Sequence, residues 1–263
     1  MQAEISRLGF GQLSFELETL RLGSGAPLLF LHGIDGTEGA RPLLELLARH
    51  FQVHAPSHPG FGASSRPHDI NTTGDLAYVY LDWLDKVGLT DITLVGSSFG
   101  SWLACEILTR DASRFARAIL STPLGLLQTQ NRQNVLTDIF SMPPDKWPDV
   151  FCVNKERFIT PKPGMDEHNL RIARNREAAA LYGWSPHMAN PKLGNRLHRI
   201  RIPTLLVQGR EDAIAPQDYG AAFANAIPGA RREIVGQCGH LVHADDPQVL
   251  AEKIIAFAVQ GGR

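Results

Sequence analysis

A serine stands at the centre of a Gly-x-Ser-x-Gly pentapeptide, Gly96-Ser-Ser-Phe-Gly100, directly after the apolar run 92–95. A strand that turns sharply into a helix forces the residue at the corner into a strained backbone conformation, and only glycines fit beside it. The residues that follow, 102–108, continue as a mostly apolar helix without Gly or Pro. This context favours Ser98 as an exposed nucleophile over a buried serine in a glycine-rich loop.

A serine hydroxyl becomes a useful nucleophile when an imidazole accepts its proton and a carboxylate fixes the tautomer of that imidazole. Two later loops contain these groups. Asp212 ends Gly209-Arg-Glu-Asp212 after the run 204–207, and His240 ends Gly236-Gln-Cys-Gly-His240 after the run 233–235. Loops at the carboxyl ends of parallel strands share one edge of a sheet, so both residues stand where a serine at such an edge needs them.

Other titratable residues compete for the same roles. His243, three residues after His240, is the main alternative base, and Glu211 is adjacent to the candidate acid. Cys238 lies two residues before His240, but nothing around it resembles a strand-to-helix corner, so we interpret it as a buried thiol. The weaker alternatives for the base are three histidines in the first quarter of the chain: His32, His54 and His58.

The segments that would position these groups alternate between strand and helix. Leucines at helical spacing predict a helix over 41–50, and five apolar residues from Leu76 to Val87 form one face of another after Asn71. The alternation predicts the α/β class, with a mostly parallel central sheet and helices on both faces. Predicted strands cover 13–17 (an edge strand), 28–31 (a central strand), 51–55, 92–95, 116–120, 204–207 and 233–235.

Between residues 123 and 199 this alternation stops, and prolines interrupt short polar helices. We interpret 123–199 as an inserted helical cap, and 1–122 with 200–263 as the core domain. The cap contains apolar residues that could cover a pocket above Ser98, and it is equally able to use them for its own small core. The predicted substrate-binding residues are Trp147, Phe151 and Trp184, chosen from a set that also includes Phe140, Phe158 and Met188.

Composition excludes several classes of protein. The chain has 263 residues, 43% of them hydrophobic, with a net charge of -1 and a mean hydropathy of -0.13, as expected of one globular domain with an insertion. The balanced charge gives no reason to expect nucleic acid or a membrane as a partner, and three scattered cysteines suggest neither a disulfide framework nor a metal site. No secretory signal is visible, so we expect a cytoplasmic protein.

Four motifs in order resemble capped members of the alpha/beta hydrolase fold family over nearly the whole chain. They are His32-Gly33-Ile34, the pentapeptide around Ser98, the loop ending at Asp212, and Gly239-His240 followed by His243 and Asp246-Pro247. The resemblance implies that Ser98 is the nucleophile, His240 the base and Asp212 its orienting acid. It also implies that the backbone N–H groups of Ile34 and Phe99 form an oxyanion hole, which stabilises the charge that develops on the substrate oxygen.

The identity of the nucleophile limits which reactions the protein can be expected to catalyse. Relatives that resemble this chain but cleave epoxides or carbon–halogen bonds have aspartate at the corner, and dienelactone hydrolases have cysteine. Ser98 therefore predicts an acyl-enzyme mechanism on a small-molecule substrate, with no metal or organic cofactor. Hydrolysis of a carboxylic ester is the first expectation. The alternatives are hydrolysis of a carbon–carbon bond in a meta-cleavage-type diketone, proline iminopeptidase activity, and a receptor that binds a small molecule without turnover. The oligomeric state is left open.

Overall fold

A mixed eight-stranded sheet forms the centre of the protein. The computed structural model describes residues 2–10, 13–130, 133–164 and 166–260. Within these residues the strands are β1 (Gln2–Phe10), β2 (Leu13–Leu22), β3 (Ala26–Leu31), β4 (Phe51–Pro56), β5 (Ile92–Ser97), β6 (Phe115–Ser121), β7 (Gly125–Leu126), β8 (Thr129–Gln130), β9 (Gln133–Asn134), β10 (Ala189–Asn190), β11 (Thr204–Gly209) and β12 (Arg231–Val235).

Helices connect most of these strands. They are α1 (Gly36–Gly39), α2 (Arg41–Leu47), α3 (Thr73–Val87), α4 (Phe99–Arg110), α5 (Trp147–Phe151), α6 (Glu167–Gly183), α7 (Gln217–Ala226), α8 (Val242–Asp245) and α9 (Pro247–Gln260). Short 3₁₀ turns occur at Ile139–Ser141, Pro144–Lys146, Lys155–Arg157 and Leu197–Arg199. No helix among the described residues has the length and apolar character that crossing a membrane requires.

The large sheet has the strand order β1-β2-β4-β3-β5-β6-β11-β12. β1 and β2 run antiparallel, and so do β2 and β4, whereas every later pair in this order is parallel. All seven predicted strands are present, so the prediction of an α/β fold with a mostly parallel sheet is confirmed. The carboxyl ends of β3, β5, β11 and β12 open toward the same side, where ligands bind in sheets of this kind.

The prediction that 13–17 forms an edge strand is wrong. β1 pairs with β2 from Gln2 opposite Arg21 to Phe10 opposite Leu13, so β1 is the edge strand and β2 is second. The sequence analysis missed β1 because its apolar residues do not alternate in one phase: Ile5 is 60% exposed, whereas Leu8 is buried.

The sheet is covered on both faces, as predicted. Neighbouring residues of β3 point in opposite directions, so that Leu28 and Leu29 belong to different hydrophobic clusters. One cluster contains residues of α3 and α4, such as Trp83 and Leu103, and the other contains residues of α2 and α9, such as Leu47. Because both faces of the sheet are buried by helices, the central strands are continuous apolar runs.

Segment 123–199 departs from the expected pattern of short polar helices because α6 is 17 residues long. It also contains two small pairs of strands, β7 with β10 and β8 with β9. The segment contacts the rest of the chain through backbone hydrogen bonds, among them Leu241 N–H to Phe151 O (2.9 Å) and Thr137 N–H to Ile214 O (3.0 Å). Its division from the core as a cap stays a prediction.

Candidate active site

Ser98 occupies the sharp corner between β5 and α4. Its backbone has φ 55° and ψ −118°, in a region that residues with a side chain rarely adopt and that is typical of strained functional positions. Both flanking glycines are needed for packing. A Cβ on Gly96 would lie 2.6 Å from the Ser101 Cα, and a Cβ on Gly100 would lie 2.0 Å from the Leu31 carbonyl oxygen. The backbone therefore has the local geometry that the pentapeptide predicts.

The structure brings Ser98, His240 and Asp212 together. The Ser98 Oγ lies 2.8 Å from the His240 Nε2, and the His240 Nδ1 lies 3.0 and 3.1 Å from the two carboxylate oxygens of Asp212. A carboxylate only accepts, so Nδ1 carries the proton and donates it, and Nε2 is left to accept from the serine hydroxyl. This is the tautomer in which His240 can take the Ser98 proton.

Asp212 is held in place by the loop that follows β11. Its Oδ1 accepts hydrogen bonds from the backbone N–H groups of Ile214 and Ala215, both at 2.9 Å. The side chains of Asp212 and His240 are fully buried. These donors fix the orientation of the carboxylate, which is what the neighbouring imidazole requires.

The competing residues have other partners. His243 contacts the Ser97 hydroxyl through Nδ1 at 3.0 Å, not the Ser98 hydroxyl. Glu211 accepts from the Cys238 N–H at 3.1 Å. Burial raises the pKa of the Cys238 thiol to about 12, so this sulfur is not a thiolate at neutral pH.

His32 holds the loop after β3 and is not positioned as a base. Its Nε2 accepts from the His58 N–H at 3.0 Å, so its Nδ1 carries the proton and donates to the Gly33 carbonyl at 2.7 Å. Burial lowers the pKa of His32 to about 4, which keeps the ring neutral near pH 7. His54 lies in β4, in contact with Trp83, with ring centroids 6.1 Å apart.

The loop after β3 lies directly against the corner that presents Ser98. A Cβ on Gly33 would be 3.2 Å from the Ser98 Cβ, and Ile34 lines the same cavity as Ser98. Within the described part of the chain, the N–H groups of Ile34 and Phe99 have no protein acceptor. Two unpaired donors beside the nucleophile are what an oxyanion hole needs, and the assignment of Ile34 and Phe99 stays a prediction.

A small apolar cavity, with a volume of about 10 Å³, lies in front of Ser98. Of the three predicted substrate-binding residues, Phe151 lines it, and the Phe151 ring centroid is 5.7 Å from that of His240. The sequence analysis did not identify the polar members, Thr137 and His187. Ile214 could have been inferred because it follows Asp212 by two positions. The remaining lining residues are Ile34, Leu124, Leu136, Ile139 and Met188.

The other two predicted substrate-binding residues lie elsewhere. Trp184 is 63% exposed and packs on Phe140, with ring centroids 5.6 Å apart. Trp184 is not among the residues that line the Ser98 cavity, and its role in substrate binding stays a prediction. Trp147 is buried, but it lines a separate small cavity that shares Ile34 with the first.

This second cavity is mostly apolar but has three polar lining residues. Asp35, Asn175 and Arg176 line it together with Trp147. The Arg176 guanidinium stacks 4.9 Å above the Trp147 ring. Burial lowers the pKa of Arg176 from its ordinary value. Asp35 lines the same cavity, but Arg176 forms no ion pair within the described residues. A half-buried guanidinium without an acidic partner is suited to bind an anion.

A wider, open cleft lies apart from Ser98. Its lining includes Glu18, Glu38 and Arg171. These charged groups already satisfy one another, because Arg171 donates to both carboxylate oxygens of Glu18 at 2.9 and 3.1 Å. The cleft contains none of the residues that are aligned for catalysis, so we place the active site at the smaller cavities.

Comparison with known proteins identifies the family. The sequence profile of a family described as "Alpha/beta hydrolase family" matches residues 28–253. The chain belongs to the alpha/beta hydrolase family. A 2-hydroxy-6-oxo-2,4-heptadienoate hydrolase of Pseudomonas putida is 25% identical to this alpha/beta hydrolase, over 93% of each chain. A pimeloyl-(acyl-carrier protein) methyl ester esterase of Vibrio vulnificus is 24% identical, over 94% of this chain and 99% of its own.

A solved structure of a thermophilic esterase from Thermogutta terrifontis superposes with a TM-score of 0.80 at 20% identity, and the match covers 100% of both chains. At this identity the likeness shows the fold alone. The family profile and the relatives support the statement that this alpha/beta hydrolase is a hydrolytic enzyme.

Proposed function

We propose that this alpha/beta hydrolase is a serine hydrolase that cleaves a small carboxylic ester through an acyl-enzyme intermediate on Ser98. The observation that carries the proposal is the continuous line of hydrogen bonds from Asp212 through His240 to the Ser98 hydroxyl. Such a line has a chemical use only if a substrate reaches the hydroxyl, and the mostly apolar residues in front of Ser98 would contact its acyl group once the small cavity there has opened.

The reaction follows from the positions of the donors and acceptors. The Ser98 Oγ attacks the ester carbonyl carbon while its proton passes to the His240 Nε2. The carbonyl oxygen becomes negatively charged and accepts hydrogen bonds from the Ile34 and Phe99 N–H groups. As the tetrahedral intermediate collapses, the leaving alcohol takes the proton from His240. A water molecule, activated by His240, then attacks the acyl group and regenerates the Ser98 hydroxyl.

Segment 123–199 acts as the cap in this proposal. Phe151 and other apolar side chains of the segment close the cavity over Ser98, so that water is limited and an acyl chain is in contact with carbon. We therefore expect a preference for acyl chains of medium length or aromatic acyl groups. A steady fall in activity from acetate to hexanoate esters would contradict this expectation.

A second candidate is hydrolysis of a carbon–carbon bond in an acidic diketone. The observation that favours it is the Arg176 guanidinium in the cavity that adjoins Ile34, which forms no ion pair within the described residues, because the substrates of such enzymes carry a carboxylate. The relative from Pseudomonas putida is named as a dienoate hydrolase, which also favours this candidate.

The two candidates are separated by assaying p-nitrophenyl esters of increasing acyl length beside a 2-hydroxy-6-oxo-dienoate, with wild type and Ser98→Ala. Arg176→Gln and the exposed control Arg157→Gln are assayed in the same way. Ester turnover that disappears in Ser98→Ala and is insensitive to Arg176→Gln would support the esterase. Loss of one charge-assisted contact raises the KM for an anionic substrate about 10-fold to 100-fold.

Faster turnover of the dienoate, with a KM that rises in Arg176→Gln but not in Arg157→Gln, would favour the second candidate. If no substrate is turned over in a manner that depends on Ser98, the proposal of a serine hydrolase fails. A receptor that binds small molecules without turnover would then be the function to test.

A further inference from the structure

A second chain of hydrogen bonds runs beside the Ser98–His240–Asp212 line and involves the residue before the nucleophile. The Ser97 Oγ lies 3.0 Å from the His243 Nδ1, and the His243 Nε2 lies 2.7 Å from the Asp35 Oδ2. The His243 and Ser97 side chains are inaccessible to solvent, and Asp35 is 3% exposed. The mechanism above uses none of these three groups.

These contacts join three segments of the chain that meet at the nucleophile. Ser97 ends β5, Asp35 directly follows Ile34 in the loop after β3, and His243 lies in α8, three residues after His240. The segment 240–243 thus contacts two consecutive serines, with His240 on Ser98 and His243 on Ser97. Asp35 is the only one of the three that is adjacent in sequence to a proposed oxyanion donor.

Asp35 depends on His243 for its place. The Asp35 Oδ1 has no hydrogen-bond partner in the described residues, so the contact from His243 to Oδ2 is the one that holds this buried carboxylate. The carboxylate also lies over Gly39, where a Cβ would be 2.1 Å from Oδ2. A buried carboxylate that loses its donor is strongly destabilised, so the loop that carries it would move.

We propose that Ser97, His243 and Asp35 form a positioning unit that aligns the Ile34 N–H with the carbonyl oxygen of the substrate. The inference rests on the proposed function, because it concerns the oxyanion hole of that reaction. The His243 Nε2–H donates a hydrogen bond to Asp35, and the His243 Nδ1 accepts one from the Ser97 hydroxyl. Each polar side-chain hydrogen of the unit therefore has an acceptor. The unit ties the loop after β3 to the strand that presents Ser98.

Displacement of the Ile34 N–H should weaken binding of the transition state more than binding of the substrate. The Ile34 N–H strengthens its contact as charge develops on the carbonyl oxygen, so a displaced donor slows the chemical step and leaves substrate binding almost unchanged. Because removal of a whole oxyanion donor lowers kcat about 10²-fold to 10³-fold, misalignment of one donor should lower it about 10-fold to 100-fold.

The test compares Asp35→Asn, His243→Gln and the double variant with wild type. Their kcat and KM are measured on a p-nitrophenyl ester, together with inhibition by a trifluoromethyl ketone, which forms a tetrahedral adduct, and by the product carboxylate. We expect each single variant to lose about 10-fold to 100-fold in kcat and the same factor in affinity for the ketone. The KM and the affinity for the carboxylate should change less than about twofold. The double variant can restore an amide-to-amide hydrogen bond, so it should recover part of the loss.

Asn190→Ala is the matched control, because it removes a partly buried contact, Asn190 Nδ2 to Glu106 Oε1 at 2.7 Å, without touching the loop after β3. It should lower the melting temperature and leave kcat and ketone affinity unchanged. Unchanged ketone affinity in both single variants, or an equal loss in Asn190→Ala, would overturn the inference while leaving the esterase intact. Absence of Ser98-dependent turnover in the wild type would instead overturn the proposed function, and the inference with it.

Discussion

His54 makes the stability of this protein dependent on pH in a way that one substitution should remove. The residue lies in β4, is 3% exposed, and has no hydrogen-bond partner at either ring nitrogen in the described part of the chain. Burial and, to a smaller extent, the charge of Arg21 on the neighbouring strand lower the pKa of His54 to about 4 from its usual 6.5. The unfolded chain therefore binds a proton more readily than the folded one.

The sign and size of the effect follow from this difference in pKa. The folded-state pKa of His54 is depressed, so its contribution to stability is complete above about pH 7 and is lost as the pH falls from about 6.5 toward 4. Proton linkage gives a loss of about 2 kcal/mol in the free energy of unfolding between about pH 7.5 and pH 5. His32 and His58 are buried with lowered pKa values as well and add to the acid sensitivity of the wild type.

His54→Leu isolates the contribution of this one ring. Urea unfolding of wild type and variant is measured at both pH values, and the pH dependence of the variant should be smaller by about 2 kcal/mol, because all other titrating groups are shared. At neutral pH the variant should be at least as stable, since leucine has a similar volume and removes two unsatisfied nitrogens. Equal pH dependence in the two proteins would refute the reasoning.

Two further substitutions test the packing around the nucleophile. Gly100→Ala places a Cβ 2.0 Å from the Leu31 carbonyl and should lower the free energy of unfolding by more than about 3 kcal/mol in urea titrations, or prevent folding. Its control is Gly74→Ala in α3, where a Cβ would lie 3.1 Å from the end of the Arg110 side chain and 3.5 Å from the Thr72 Oγ1. This variant should be neutral or slightly stabilising, and equal losses in both variants would count against the close approach. Phe151→Ala removes a buried ring beside His240. It should lower the free energy of unfolding by about 3 to 5 kcal/mol and broaden the range of acyl chains that are accepted. An unchanged acyl-chain profile would show that Phe151 does not contact the substrate.

The part of the site that depends on local sequence was predictable. The corner at Ser98 is specified by glycines two residues before and after it, because those positions have no room for a Cβ. Asp212 and His240 follow predicted strands whose carboxyl ends share an edge with that corner, so their proximity follows from the topology of a parallel sheet.

The rest depends on contacts between distant segments. Trp184 and Phe151 look alike as apolar residues of a proline-interrupted segment, yet Trp184 is exposed and Phe151 faces His240. Only the path of α5 and α6 over the sheet decides between them. Similarly, the sequence marks His243 as an alternative base but contains no sign that its ring faces Ser97 and Asp35, because the three residues lie far apart in the chain.

The most direct test of the central claim is to locate the nucleophile by covalent labelling. Wild type, Ser98→Ala and the neighbouring control Ser101→Ala are treated with a fluorophosphonate, and the modified residue is identified by peptide mass spectrometry with fragmentation. Wild type and Ser101→Ala should each gain one phosphonyl group on Ser98, and Ser98→Ala should gain none, because among the described residues Ser98 is the serine that contacts the His240 Nε2. An adduct on another residue, or labelling that persists in Ser98→Ala, would contradict the account.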